Sequence, residues 1–300
     1  LRPEAVAELS IPEASTAPAF HFPAHPHRTS PETARVPTVL VAGNANSGKT
    51  TVFNALTGSR AQVGNYPGVT VTRSSRRVVL PDGASAEIVD LPGTYSLTAH
   101  SPDEQVAVSA VNGRYGDQPD AVVVVLDAGA LERGLYLAVQ IIETGVPVVV
   151  ALNMLDEAQA AGADFDTARL EAWLGATVVP TIASKGIGLG ALREAVAGTL
   201  QLAPKSEVLW QGFSERLETE LVSIEQALTD AGFATTPATT RSWAVWSLLS
   251  LERDDATGSG LPQPVLDAVL AIRGKASETG WRLDEEIVSA RYLWIEKVVG

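Results

Sequence analysis

The chain has 300 residues, enough for one large folded unit or two modest ones, and 45% apolar with 19% charged residues suits a globular protein. A formal net charge of -13 argues against non-specific binding to nucleic acid, whose phosphates attract Lys and Arg. The absence of cysteine excludes disulfides and thiolate metal sites and fits a reducing cytosol.

Residues 1–35 are rich in Pro, Ala, Ser and Thr, lack a periodic apolar face and read as a flexible tail. His21, His25 and His27 fall there and read as part of a linker rather than a metal-binding tract. From Val36 the pattern changes. Residues 39–41 form a short apolar strand, a glycine-rich loop follows, and 50–57 have helical spacing. Residues 76–80 and 84–89 flank Pro81-Asp82-Gly83, a hairpin signal expected to supply one antiparallel edge strand. The one conspicuous basic cluster, residues 73–77, lies within a predicted strand.

The apolar runs 121–126, 146–152 and 177–179 then alternate with helical patterns, which predicts a mainly parallel sheet with helices on both faces. Beyond Pro204 the strand pattern stops. Residues 213–231, 241–251, 264–272 and 284–299 all carry helical spacing. The expected organisation is therefore a tail over 1–35, an α/β unit over 36–203 and a small all-α unit over 204–300. No run is apolar for the ~18–20 residues that a membrane helix needs. Because the chain opens on Leu1 rather than Met and stops at Gly300 just after a helical pattern, it is expected to be a piece of a longer protein.

Gly43-Asn44-Ala45-Asn46-Ser47-Gly48-Lys49-Thr50 matches G-x-x-x-x-G-K-[ST] between a strand and a helix. Its backbone N–H groups can curl around phosphates at a helix N-terminus, with Thr51 next in line. Lys49 would reach the β- and γ-phosphates, and the Thr50 hydroxyl would ligate Mg²⁺. This P-loop alone does not separate ATP from GTP. Asn153-Met154-Leu155-Asp156, after the strand 146–152, makes that separation. The Asp156 carboxylate can accept from both the ring N–H and the exocyclic amine of guanine, a donor pair that adenine lacks. Ala183-Ser184-Lys185, after the next strand, would add a backbone N–H for the guanine carbonyl and an aliphatic stem against the base. Asp90-Leu91-Pro92-Gly93 ends the hairpin strand, where Asp90 would hold Mg²⁺ through water and the Gly93 N–H would sense the γ-phosphate. In Gly64-Asn65-Tyr66-Pro67-Gly68-Val69-Thr70, Thr70 is the candidate switch I ligand of Mg²⁺, with Gly68 and Val69 beside it against the nucleotide.

Together, the runs 43–58, 64–70, 90–97 and 153–156 resemble the FeoB family of bacterial ferrous iron transporters over residues 38–200, and Ala290-Arg291-Tyr292 resembles the segment preceding that family's first membrane helix. The resemblance implies a P-loop GTPase domain, a helical domain that tunes GDP affinity, and a membrane-embedded region of the same polypeptide for Fe²⁺. A cytoplasmic domain at the inner membrane would follow, with small Feo accessory proteins and an oligomer as candidate partners. Ala45 stands where the family usually has Pro. The guanine loop reads Ala-Ser-Lys where many GTPases have Ser-Ala-Lys.

The expected reaction is slow hydrolysis of GTP to GDP and phosphate, by positioning and charge stabilisation. Thr94 occupies the position where many GTPases carry a water-orienting glutamine, and it is not assigned that role. Lys49, Asn46 and Thr70 are the candidate catalytic residues. Asn46 in a loop lacking that glutamine points to K⁺, as in FeoB-like proteins, with the Gly64 and Tyr66 carbonyls completing the shell. Two other readings stay open: a ribosome-assembly or RNA-modification GTPase, which the acidic composition disfavours, and a regulatory switch without transport. Trp210, Trp243, Trp246, Trp281 and Trp294 read as core, and Asp254, Asp255 and residues 284–286 as solvated helix-start acids rather than an Fe²⁺ site.

Overall fold

A computed structural model of the chain describes residues 35–58, 62–66, 70–98, 101–113, 118–202, 212–233, 236–251 and 261–299. The sequence runs through β1 (Thr38–Gly43), α1 (Lys49–Thr57), β2 (Gln62–Asn65), β3 (Thr72–Val79), β4 (Ser85–Asp90) and α2 (Pro102–Val111). There follow β5 (Ala121–Asp127), α3 (Leu131–Glu143), β6 (Val148–Asn153), α4 (Leu155–Ala160), α5 (Thr167–Leu174), β7 (Thr177–Pro180) and α6 (Leu189–Leu202). Four helices close the chain: α7 (Glu215–Asp230), α8 (Pro237–Ser250), α9 (Gln263–Thr279) and α10 (Leu283–Val299).

The seven strands form one sheet in the order β2-β3-β4-β1-β5-β6-β7. Strands β4, β1, β5, β6 and β7 run parallel, and β3 runs against both its neighbours. The central strands β1, β5 and β6 are valine-rich and buried almost throughout, because helices cover both faces of a parallel sheet. The hairpin strand expected at the edge is not there, since β2 pairs outside β3 and takes that place. All four residues of β2 are exposed, so main-chain hydrogen bonding alone makes it a strand and no apolar alternation marks it. The clustered arginines of β3 do not form one patch either: Arg73 pairs with Glu87 at 2.9 Å, and Arg76 donates to the Gly58 carbonyl. Arg35, at the end of the expected tail, is ion-paired with Asp120 at 2.6 Å.

The two faces of the sheet are covered differently. Beneath α1 and α6, Val39, Val41, Phe53, Val123, Leu192 and Val196 form a core of their own. On the opposite face, Leu40, Val124 and Leu152 pack through Leu135 and Ile142 of α3 into one continuous core with Leu217, Trp246, Ile287 and Ile295. The closing helices therefore share a core with the sheet. Arg291 of α10 is 3% exposed and meets Glu143 of α3, Nη2 to Oε2, at 2.7 Å. Burial works against its charge, but Glu143 more than offsets this and lifts the guanidinium pKa above its ordinary value. Tyr292 stacks on Tyr136 with centroids 4.8 Å apart.

Trp243, Trp246 and Trp294 are buried as core residues, and Trp281 is half-buried with its indole N–H on Glu286. Asp284 pairs with Arg273, Glu285 with Arg282, and Glu286 accepts from Ser214. Residues 1–34, with their histidines, and Trp210, Asp254 and Asp255 lie outside the described residues. Among the described residues no helix is long and apolar enough to cross a membrane.

Candidate functional site

β1 delivers Gly43 to the C-terminal end of the parallel sheet, where doubly wound folds place their ligands. The loop then turns sharply, with Asn46 at φ 67° and Gly48 at φ 81°, before α1 begins at Lys49. Asparagine tolerates this left-handed region better than most residues. Gly48 is needed for space as well, since a Cβ there would overlap Asn153 Nδ2. Ala45, Asn46, Thr50 and Thr51 are exposed, while Asn44, Ser47 and Lys49 are buried. A cavity of about 140 Å³ beside the loop is lined by Asn44, Ser47, Tyr95, Asp127 and Arg133 among others.

Lys49 Nζ lies 2.6 Å from Asp90 Oδ1, so the first helical turn and the end of β4 converge. Burial pushes the Asp90 carboxyl above its ordinary pKa, and Lys49 pulls part of that back. The Asp90–Gly93 segment then rides on the P-loop. Leu91 N–H donates to the Val41 carbonyl at 2.9 Å, and a Cβ on Gly93 would come 3.4 Å from the Ala45 backbone. Thr94 is 3% exposed and its hydroxyl donates to the Ser96 carbonyl at 2.7 Å, which turns it into the loop's own turn.

Beyond Thr94 the loop is gripped by distant elements. Gln140 of α3 accepts from Leu97 N–H at 2.8 Å, and Ser250 at the end of α8 donates to the Thr98 carbonyl at 2.6 Å. Neither residue was marked by any local pattern. Tyr66 is buried, its hydroxyl donates to the Asp90 carbonyl at 3.1 Å, and its N–H donates to the Val71 carbonyl. Gly64 lies exposed on β2 and Thr70 exposed just before β3. Gly68 and Val69 lie outside the described residues.

At the other end, Asn153 closes β6 and is 3% exposed. Its Nδ2 donates to the Ser47 carbonyl at 3.1 Å. Its Oδ1 accepts from Ala183 N–H at 3.0 Å and from the Thr181 hydroxyl at 3.3 Å. These hydrogen bonds tie the P-loop to Thr181 and the Ala183–Lys185 turn, and Thr181 is a residue that the motifs had not included. Met154 takes φ 59°, which swings the chain so that Asp156 meets Lys185, Oδ2 to Nζ, at 2.6 Å. The hydrogen bond from Lys185 holds the Asp156 carboxyl below its usual range. Ser184 is exposed on the same turn.

The oxygen donors here, the Asp90 carboxylate with the Thr50 and Thr70 hydroxyls, are the hard set that suits Mg²⁺. Among the described residues no three His, Cys, Asp or Glu side chains gather to hold a metal by themselves.

A family model described as ferrous iron transport protein B matches residues 37–196. The Fe(2+) transporter FeoB of Legionella pneumophila (strain Paris) is 38% identical over 265 residues, 87% of this chain and 33% of that protein, so the chain spans about a third of the relative's length. The solved cytosolic domain of L. pneumophila FeoB superposes with a TM-score of 0.73 at 36% identity, covering 87% of this chain and 97% of that one. A mutant of S. thermophilus NFeoB bound to GDP also gives 0.73, at 33% identity, covering 88% of this chain and 99% of that one.

Proposed function

The chain belongs to the ferrous iron transport protein B family, and from that premise we propose that it binds guanine nucleotide and hydrolyses GTP as the cytoplasmic part of an inner-membrane Fe²⁺ transporter. The observation that carries the reading is Asn153. It joins the phosphate loop, through the Ser47 carbonyl, to the Ala183–Lys185 turn beside Asp156, so one side chain spaces the two ends of a nucleotide. Asp156 is the carboxylate for the guanine N–H pair, and Lys185, now its ion-pair partner, lends its stem to the base.

At the phosphate end Lys49 exchanges Asp90 for the β- and γ-phosphates, and the backbone N–H groups of residues 43–50 cradle them. Thr50, Thr70 and, through water, Asp90 would hold Mg²⁺, which would supply positive charge against those phosphates. Water attacks the γ-phosphorus, the bond to the β–γ bridging oxygen breaks, GDP leaves, and the water's protons end on phosphate and solvent. With Thr94 turned inward, the chain offers no glutamine-like side chain at that position to orient the water. Asn46, exposed at the loop's turn, would supply an oxygen for K⁺, and the Gly64 and Tyr66 carbonyls would complete its shell. Turnover is accordingly slow and K⁺-stimulated.

Nucleotide gates or drives the membrane region through the grip of Gln140 and Ser250 on the segment after Gly93. The membrane-embedded region of the same polypeptide is the proposed partner, with Feo accessory proteins and further copies of the chain beside it; nucleic acid is not one. Calorimetric titration with GTP and ATP, followed by hydrolysis assays in K⁺ and in Na⁺ at equal ionic strength, tests the site. GTP binding at least about tenfold tighter than ATP is expected from a charge-assisted hydrogen-bond pair. Equal affinities would overturn the Asp156 assignment, and equal rates in the two salts the Asn46 assignment.

A further inference from the structure

Away from the nucleotide site, Asn112, Trp246 and Arg291 line one cavity, with Glu143 and Leu97 also on its wall. About 20 Å³ of it is open to the centre of a water molecule. Each of the three residues carries a buried polar atom without a hydrogen-bond partner: Asn112 Oδ1, Trp246 Nε1 and Arg291 Nη1. They come from three helices that meet only in the folded chain. Asn112 caps the C-terminus of α2, Trp246 belongs to α8 and Arg291 to α10.

Their remaining polar atoms are already engaged. Asn112 Nδ2 donates to the Val108 carbonyl at 3.0 Å, which sets the amide so that its oxygen is the free end. Arg291 gives Nε and Nη2 to Glu143, and Tyr136 also supports the guanidinium, while Nη1 stays without a partner of hydrogen-bond geometry. Leaving a guanidinium N–H, an indole N–H and an amide oxygen unmet on three residues that line one cavity is a cost that native structures avoid.

We propose that this cavity binds a single water molecule, which accepts hydrogen bonds from Arg291 Nη1 and Trp246 Nε1 and donates one to Asn112 Oδ1. The chemistry closes on that ligand. Water offers two lone pairs and two protons, and buried waters typically make about three hydrogen bonds. The volume exceeds the roughly 10–15 Å³ one water needs. A halide of similar size would satisfy the two donors, but it would face the Asn112 oxygen and share the cavity with the Glu143 carboxylate. The bound water links α2, which begins soon after the Asp90–Gly93 segment, to α8 and α10. Its meaning for nucleotide sensing rests on the function proposed above; its occupancy does not.

The test is a high-resolution crystal structure of this chain, with a second crystal soaked in bromide, and water-¹⁷O relaxation dispersion on the wild type and Trp246→Phe. Solvent density within about 3 Å of all three atoms is expected, with one long-lived water fewer in Trp246→Phe. Should Trp246→Phe fail to fold, Asn112→Ala is measured instead, with the same loss expected. An empty cavity, a direct protein partner on Arg291 Nη1, an anomalous bromide peak there, or an unchanged count of long-lived waters would each overturn the proposal.

Discussion

The proposed base end and the proposed phosphate-sensing end of the site are built on different plans. At the proposed base end, Asn153, Thr181, Ala183, Asp156 and Lys185 hold one another between two neighbouring loops at the tips of β6 and β7. At the sensing end, the segment after Asp90-Leu91-Pro92-Gly93 owes its position to α3 and α8, through Gln140 and Ser250. The difference separates two tasks. Recognition of a base needs a rigid frame, and hydrogen bonds between the tips of adjacent strands supply one. A segment proposed to report on the γ-phosphate must be attached to whatever it moves, and this one is attached to α3 and α8.

The largest effect should come from breaking the joint that seats the closing helices. Arg291→Met leaves the half-buried Glu143 without its partner and should cost about 3 kcal/mol in urea unfolding, while the GTP over ATP preference of the folded fraction persists. A cost below about 1 kcal/mol would mean that α10 is not seated by this pair.

At the base end, Asn153→Ala removes hydrogen bonds to Ser47, Thr181 and Ala183 and strands buried main-chain groups. A loss of about 2–3 kcal/mol is expected, together with weakened binding of every guanine nucleotide. If calorimetry showed GDP affinity unchanged, Asn153 would not be the spacer between the two ends.

The smallest effect should follow Ser250→Ala, which removes one hydrogen bond worth about 1 kcal/mol. Amide exchange should quicken at residues 94–98 and stay the same at residues 153–156. Equal quickening at both ends would erase the distinction between them.

The α/β pattern, the P-loop, the positions of Asp90, Asn153 and Asp156 and the four closing helices were legible in the chain. Each depends on residues close in sequence: an apolar run long enough for one strand, glycines where the loop needs φ above zero, a helical period in the next segment. For the same reason β2 was not legible, as its four exposed residues carry no apolar signal and become a strand only when β3 offers its edge.

Tertiary structure decided the partners. Lys49 and Asp90 are 41 residues apart, Thr98 and Ser250 are 152 apart, and Glu143 and Arg291 are 148 apart. Arg291-Tyr292 reads in the chain as part of a helical segment that shares the family resemblance at residues 290–292, and neither reading names a partner for Arg291. Only packing α10 against α3 desolvates the guanidinium, and a desolvated charge must find a carboxylate, which Glu143 supplies. Local pattern determines which elements form and which residues carry the chemistry. Which distant element holds the sensing segment depends on burial, and burial exists only once the sheet and helices have closed on each other.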